Sequence, residues 1–144
     1  VNTFLPYPSY SDTARVLDRA RLGKQRVEGY QILRVLLGQT NGWKNHPAVK
    51  MWQGYEYQLV RYVHDICWEW SERGYNDSVG EKVAALYLSH RIYDRTPEEP
   101  PWLHDQSFHL AHQSNLIRKD PAFYESKFPG VPNNLPYIWP SKET

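Results

Sequence analysis

The sequence predicts an all-α fold: a compact single-domain helical bundle over residues 1–144, with an extended N-terminal arm and an irregular C-terminal tail. Three observations predict it. Apolar residues recur at three- and four-residue spacings in four stretches, helix-start and helix-stop residues flank those stretches, and nothing alternates like a half-buried strand.

The elements follow in order. Residues 1–8 are expected to be an extended arm, because Pro6 and Pro8 oppose helix and push their predecessors toward extended geometry. Ser11 is the expected N-cap of a first helix reaching Gly38, with Val16, Leu17, Leu22, Leu33 and Leu36 on its buried face and a bend near Gly23. After a loop over 41–47, Pro47 suits the first turn of a second long helix that carries Met51, Tyr55, Leu59, Tyr62, Ile66 and Trp70 and closes at Gly74. A third helix is expected from Ser78, with Glu81 completing a capping box, and fades near His90. Three prolines make 96–101 a connector, and a late helix runs over 105–119 until Asp120-Pro121 stops it. A short helical turn over 122–127 precedes a Pro- and Asn-rich tail, where Leu135, Tyr137, Ile138 and Trp139 are available to pin it to the body.

Composition bounds the function. With 144 residues and 40% hydrophobic content, the chain closes one core and is too short for two domains of ~100–150 residues each. No run approaches the ~18 apolar residues of a membrane span and no charged-then-apolar leader opens the chain, so a cytoplasmic location, nucleoid-associated in a prokaryote, is expected. The single cysteine, Cys67, lies in an apolar stretch and reads as a small core residue. Seventeen basic against sixteen acidic residues give a formal charge of +1, an average that conceals local basic faces.

Arg15, Arg19, Arg21, Lys24 and Arg26 cluster against one acid, Asp18. On a helical wheel Arg21, Lys24 and Glu28 fall together beside the apolar stripe of Leu22, Gly29, Leu33 and Leu36, which puts Glu28 at the core margin among cations. Two readings stand: an i,i+4 ion pair with Lys24, or a carboxylate beside a phosphate-binding surface. On the late helix, Phe108, His112, Asn115 and Lys119 share a face that suits a phosphodiester or, equally, a core aromatic with solvated neighbours. Asp105, His109 and His112 have spacings a metal could use, without any complete zinc motif; a metal-dependent nuclease is therefore one alternative and a noncatalytic DNA-binding module another.

Four pieces of the chain, in order, carry a resemblance: the arm Val-Asn-Thr-Phe-Leu, the run Arg-Leu-Gly-Lys-Gln-Arg-Val-Glu at 21–28, Trp-Ser-Glu-Arg-Gly-Tyr-Asn at 70–76, and His-Gln-Ser-Asn-Leu-Ile-Arg-Lys-Asp-Pro with Phe-Tyr over 112–124. Together they resemble the pyrimidine-dimer DNA glycosylases with abasic-site lyase activity, the phage-type endonuclease V group, and especially cellular relatives opening Thr-Phe-Leu-Pro-Tyr-Pro. The resemblance implies a base-excision enzyme acting, as a monomer, on double-stranded damaged DNA. It carries the catalytic roles to the α-amine of Val1 as nucleophile and to Glu28, with no metal or organic cofactor. An α-amine suits this role because its reference pKa of ~7.7–8.0 leaves a neutral fraction at physiological pH. Arg15, Arg19, Arg21, Lys24, Arg26, His112, Asn115, Arg118 and Lys119 are the expected DNA-binding residues, and Lys24 is the alternative Schiff-base amine. The chain departs from the pattern at Asn2 and Val27, where members that act on photodimers carry arginine, and at Asn115, which replaces a further arginine. These departures bear on the lesion more than on the reaction class, and another damaged or modified pyrimidine is the alternative substrate.

Overall fold

The structure, a computed structural model, describes residues 1–140. It is all-α: α1 (Tyr10–Val16), α2 (Arg19–Leu36), α3 (Pro47–Lys50), α4 (Glu56–Glu72), α5 (Val79–Ser89), α6 (Gln106–Lys119) and α7 (Pro121–Tyr124), with one 3-10 turn at Ile92–Asp94. There is no strand among the described residues, and no helix there is long and apolar enough to cross a membrane.

The expected first helix is two helices. Ser9, not Ser11, caps α1 by accepting from the Asp12 amide at 3.2 Å. The chain then becomes extended at Leu17 and restarts at Asp18, whose carboxylate accepts from the Arg21 amide. Tyr124, distant in sequence, fixes that break: its hydroxyl donates to the Asp18 carboxylate and accepts from the Asp18 amide at 2.9 Å. Burial pushes the Asp18 carboxyl up, but Tyr124 and Arg21 outweigh it and hold the group below the usual carboxylate range. Gly23 makes no bend; a Cβ there would come within 2.9 Å of the Trp70 ring, so this glycine permits α2 to lie against α4. The helix ends as expected at Gly38, which takes φ +79° and allows Gln39 to return a bond to Arg34 O.

The second long helix is also divided. Pro47 opens α3 with His46 as its N-cap, but Gly54 at φ +87° turns the chain before α4 begins. At α5, Ser78 makes no side-chain cap; Asp77 does the work, accepting from the Val79 and Gly80 amides at 3.1 and 3.0 Å. In the tail, Tyr137 and Trp139 pack against the body as expected, whereas Ile138 stays exposed.

Helix α4 is the central element, packing on α1, α2 and α5. Its contact with α2 is close enough that a Cβ added at Gly29 would lie 2.4 Å from Val63 Cγ2, and Val63 is fully buried and stiff at χ1. Gly29→Ala therefore overpacks the seam. Overpacking costs ~1–3 kcal/mol, partly offset by the better helix propensity of alanine, so the variant is expected to melt ~2–6 °C lower. Adding Val63→Ala should recover part of the loss; an unchanged melting temperature for Gly29→Ala would contradict this account of the seam.

The N-terminal arm is mortar rather than appendage. Thr3, Phe4, Leu5 and Pro6 are buried between α6 on one side and α2 with α4 on the other. An extended segment cannot satisfy its own backbone, so neighbouring side chains must do it. Gln25 accepts from the Phe4 amide at 2.9 Å, Tyr62 donates to Phe4 O at 2.8 Å, and Trp52 donates to Thr3 Oγ1 at 3.0 Å. From α6, His112 Nδ1 accepts from the Leu5 amide at 2.9 Å, His109 Nδ1 bonds Leu5 O at 2.7 Å, and Gln113 donates to Pro6 O at 2.8 Å.

Candidate active site

The arm delivers Val1 to a cavity of about 460 Å³ whose lining includes Asn2, Arg21, Lys24, Gln25 and Glu28. The helical register of α2 explains the group: Arg21, Lys24, Gln25 and Glu28 recur at three- and four-residue intervals and so look the same way. Lys119, from the last turn of α6, adds a cation, while Phe4, Tyr137, Trp139 and His46 supply aromatic surface.

Glu28 sits at the margin between core and solvent, its side chain 13% exposed. Gln25 Nε2 donates to its Oε2 at 3.0 Å, and Lys24 Nζ stands 3.8 Å from Oε1 on a largely exposed stem. The ion-pair reading of Glu28 is thus realised together with its place in the cavity that Val1 also lines. His46 Nδ1 accepts from the Ala48 amide at 3.0 Å, which leaves the proton of the neutral ring on Nε2. Burial, then the nearby Val1 ammonium, lower its pKa and favour that neutral form.

Gln25 is the member that sequence reasoning missed. Only 1% exposed, its amide uses both donors: Nε2 reaches Asn2 O at 3.2 Å and Glu28, while Oε1 takes the Phe4 amide and lies 2.7 Å from the Tyr62 hydroxyl, whose one proton it shares with Phe4 O. The available signal was its place three residues before Glu28 on the same face, where a neutral side chain long enough to reach the arm is required.

The remaining basic residues divide. Arg15 pairs with Asp12 over a separate shallow depression lined by Tyr7 and Lys127. Arg19 lies exposed over the Tyr75 ring at 5.1 Å, and Arg21 pairs with Asp18 at 3.3 Å. Arg26, adjacent to the position where photodimer enzymes carry arginine, binds Asp77 at 2.7 Å and stacks on Trp70 at 4.4 Å. Its Nε, however, has no partner. Arg118 reaches Asn115 and the carbonyls of Asn133 and Leu135, so it ties down the tail.

Phe108 is the core aromatic that one of the two readings of this α6 face expected, but its neighbours, solvated in that reading, are corrected by the structure. Phe108, His112 and Asn115 are all buried, because the arm and tail cover that side of the helix; only Lys119 of the four is exposed. Asn115 donates to Ala111 O and Leu135 O. Burial, reinforced by His109, lowers the His112 pKa to about 3, so its ring is neutral and serves as an acceptor for the arm. Asp105, His109 and His112 do not assemble a metal site: Asp105 caps Ser107, His109 spans Leu5 O and the His104 amide, and His112 holds Leu5. No group of three metal-ligating side chains converges among the described residues. Cys67 is buried with its thiol pushed up to about 12, chiefly by burial and then by Asp77, which disfavours the thiolate a nucleophile needs.

No curated protein and no solved structure matches the chain. A family model described as pyrimidine dimer DNA glycosylase matches residues 1–82, more than half of the 144 residues. The matched segment contains the arm, α2 and α4, and with them Val1, Gln25 and Glu28. The chain therefore belongs to the pyrimidine dimer DNA glycosylase family, whose substrate is damaged DNA.

Proposed function

We propose that the protein excises a damaged pyrimidine from double-stranded DNA and then cuts the strand as an abasic-site lyase, with the α-amine of Val1 as nucleophile and Glu28 as the assisting carboxylate. The observation that carries this reading is the single cavity shared by Val1, Glu28 and the cations Arg21, Lys24 and Lys119.

The chemistry follows from those groups. The neutral amine donates its lone pair to C1′ of the damaged nucleotide, and the C1′–N bond breaks with its electron pair leaving on the base. The nitrogen loses a proton, the C1′–O4′ bond opens onto a protonated O4′, and an iminium links Val1 to C1′. Glu28 stabilises the cationic sugar and then removes the C2′ proton. The C–H electrons form the new double bond as the C3′–O3′ bond breaks, and the departing phosphate carries the strand end away. Arg21, Lys24 and Lys119 hold backbone phosphates around the reacting sugar, and Arg15 and Arg19 extend the basic surface along α1 and α2. Arg26, Arg118, His112 and Asn115 act indirectly, by holding α5, the tail and the arm. Extruding the nucleotide costs a few kcal/mol, less where pairing is already damaged, and the phosphate contacts offset it.

Borohydride reduction tests the reading. With duplexes containing a thymine photodimer, other damaged pyrimidines or an abasic site, borohydride is expected to trap a covalent protein–DNA adduct, and peptide mapping should place it on Val1. An adduct on Lys24 would transfer the nucleophile to that side chain. No adduct with any duplex would refute the lyase mechanism.

A further inference from the structure

Helix α2 carries cations on a flank that takes no part in the catalysis above. Arg19, Arg26, Tyr30 and Arg34 follow one another at seven-, four- and four-residue intervals, so they share a face roughly half a turn around the helix from Arg21, Lys24 and Glu28. The segment 70–76 supports one end of this flank: the Trp70 indole donates to Asn76 O at 2.9 Å, Tyr75 packs on Trp70 at 4.4 Å, and Arg19 lies over Tyr75 at 5.1 Å. Farther along, Tyr30 holds two cations, Arg34 from α2 at 5.7 Å and Lys82 from α5 at 6.0 Å. Resting on the proposed function, we propose that Arg19, Arg34 and Lys82 form a second row of contacts to the phosphodiester backbone of the bound duplex, set in place by the rings of Tyr75 and Tyr30.

What holds these cations sets them apart. Among the described residues, six arginines pair with carboxylates, which occupy N–H donors and cancel charge. Arg19, Arg34 and Lys82 enter no ion pair there; a ring holds each instead. A ring restrains a cation without neutralising it, so the side chain is ordered in advance while its charge stays available to an anion. Arg34 gives only its Nε to Gln39, at 3.3 Å, which leaves the terminal guanidinium nitrogens unspent. Gathering two like charges at Tyr30 without pairing either to an acid raises the local positive potential. The layout suits a polymer rather than a single anion, which asks for converging donors. Arg19 and Arg34 are fifteen residues apart on α2, about 22 Å along the helix axis, the span of roughly six base steps at ~3.4 Å each. Between the two flanks runs an uncharged crest of Ala20, Val27 and Gln31, all exposed. Cations bordering such a crest on both sides match the two backbones that border a duplex groove.

The test separates backbone binding from chemistry. Arg34→Gln with Lys82→Gln removes two of the charges, and neither residue lines the cavity. On an undamaged duplex the double variant is expected to bind about tenfold more weakly at about 0.1 M salt, and its plot of log affinity against log salt should be shallower by about 1.8, the counterion release of two phosphate contacts. Strand cleavage at a preformed abasic site under saturating enzyme should stay within about twofold, because what is lost is uniform binding. Tyr30→Leu keeps both charges but frees them, so affinity should fall about threefold with the salt slope unchanged. Arg34→Lys alone should also keep the wild-type slope. An unchanged slope in the double variant would overturn the second row. A saturated cleavage rate that falls along with affinity would overturn it too, by placing the flank in the chemistry. Inorganic phosphate at constant ionic strength should displace DNA equally from the wild type and the double variant; selective displacement from the wild type would make the flank a free-phosphate site and overturn the backbone assignment. A wild-type protein that excises nothing and traps no adduct would refute the proposed function, whereas binding to undamaged DNA would still decide the second row.

Discussion

Glu28→Gln is expected to slow strand cleavage at a preformed abasic site by about 10²–10⁴-fold, the usual contribution of a positioned acid–base group, while leaving the borohydride-trapped adduct on that DNA largely intact. The split follows from the order of steps. Condensation of an amine with the open aldehyde of an abasic site does not require removal of the C2′ proton, but β-elimination does. Base excision should fall as well, because an amide cannot stabilise the cationic sugar as a carboxylate does. The substitution is nearly isosteric. Its site already includes Gln25 Nε2 at 3.0 Å and Lys24 Nζ at 3.8 Å, so folding and DNA affinity should change little. An unchanged cleavage rate would remove Glu28 from the mechanism; a lost adduct would move its role to imine formation.

The grouping of Glu28 with Arg21 and Lys24 was legible in the sequence because helical register places them on one face, while the catalytic role of Glu28 is what the family resemblance implies. Most helix ends were legible as well, since Gly38, Gly74, Pro47 and Asp120-Pro121 act through local backbone rules. What local pattern does not disclose is the work of distant partners. The break between α1 and α2 depends on Tyr124 bonding Asp18 across 106 positions. The α6 face reads equally as a phosphodiester surface or as a core aromatic with solvated neighbours, yet Leu5, 107 residues earlier, comes to lie on His112, which is buried. The arm was recognisable as extended from its prolines. Its role between α6 and the α2–α4 pair was not, because the groups that receive it are single polar residues at otherwise apolar positions.

Gln25 concentrates that hidden role, and its removal is the sharpest test of how the arm is held. Gln25→Ala would leave the buried Phe4 amide without its acceptor and Asn2 O and Glu28 without a donor. A buried amide without a partner costs ~1–3 kcal/mol, and the lost side-chain packing adds to it, so stability is expected to fall by roughly 2–4 kcal/mol in urea unfolding. The effect on activity should be larger than stability alone predicts. Val1 is four residues before Leu5, the next point at which α6 grips the arm, and a displacement of about 1 Å at a reacting group can cost ~10²-fold. Excision, adduct formation and strand cleavage should therefore all decline together by about that factor. This distinguishes Gln25→Ala from Glu28→Gln, where the adduct persists. Gln25→Glu sharpens the point: it keeps the volume but replaces two donors by acceptors and sets a second carboxylate against Glu28. At neutral pH it should be at least as damaging as alanine, because the like charges repel where the amide now bridges them. If Gln25→Glu retained wild-type rates, the amide's hydrogen bonds would not be what positions the amine.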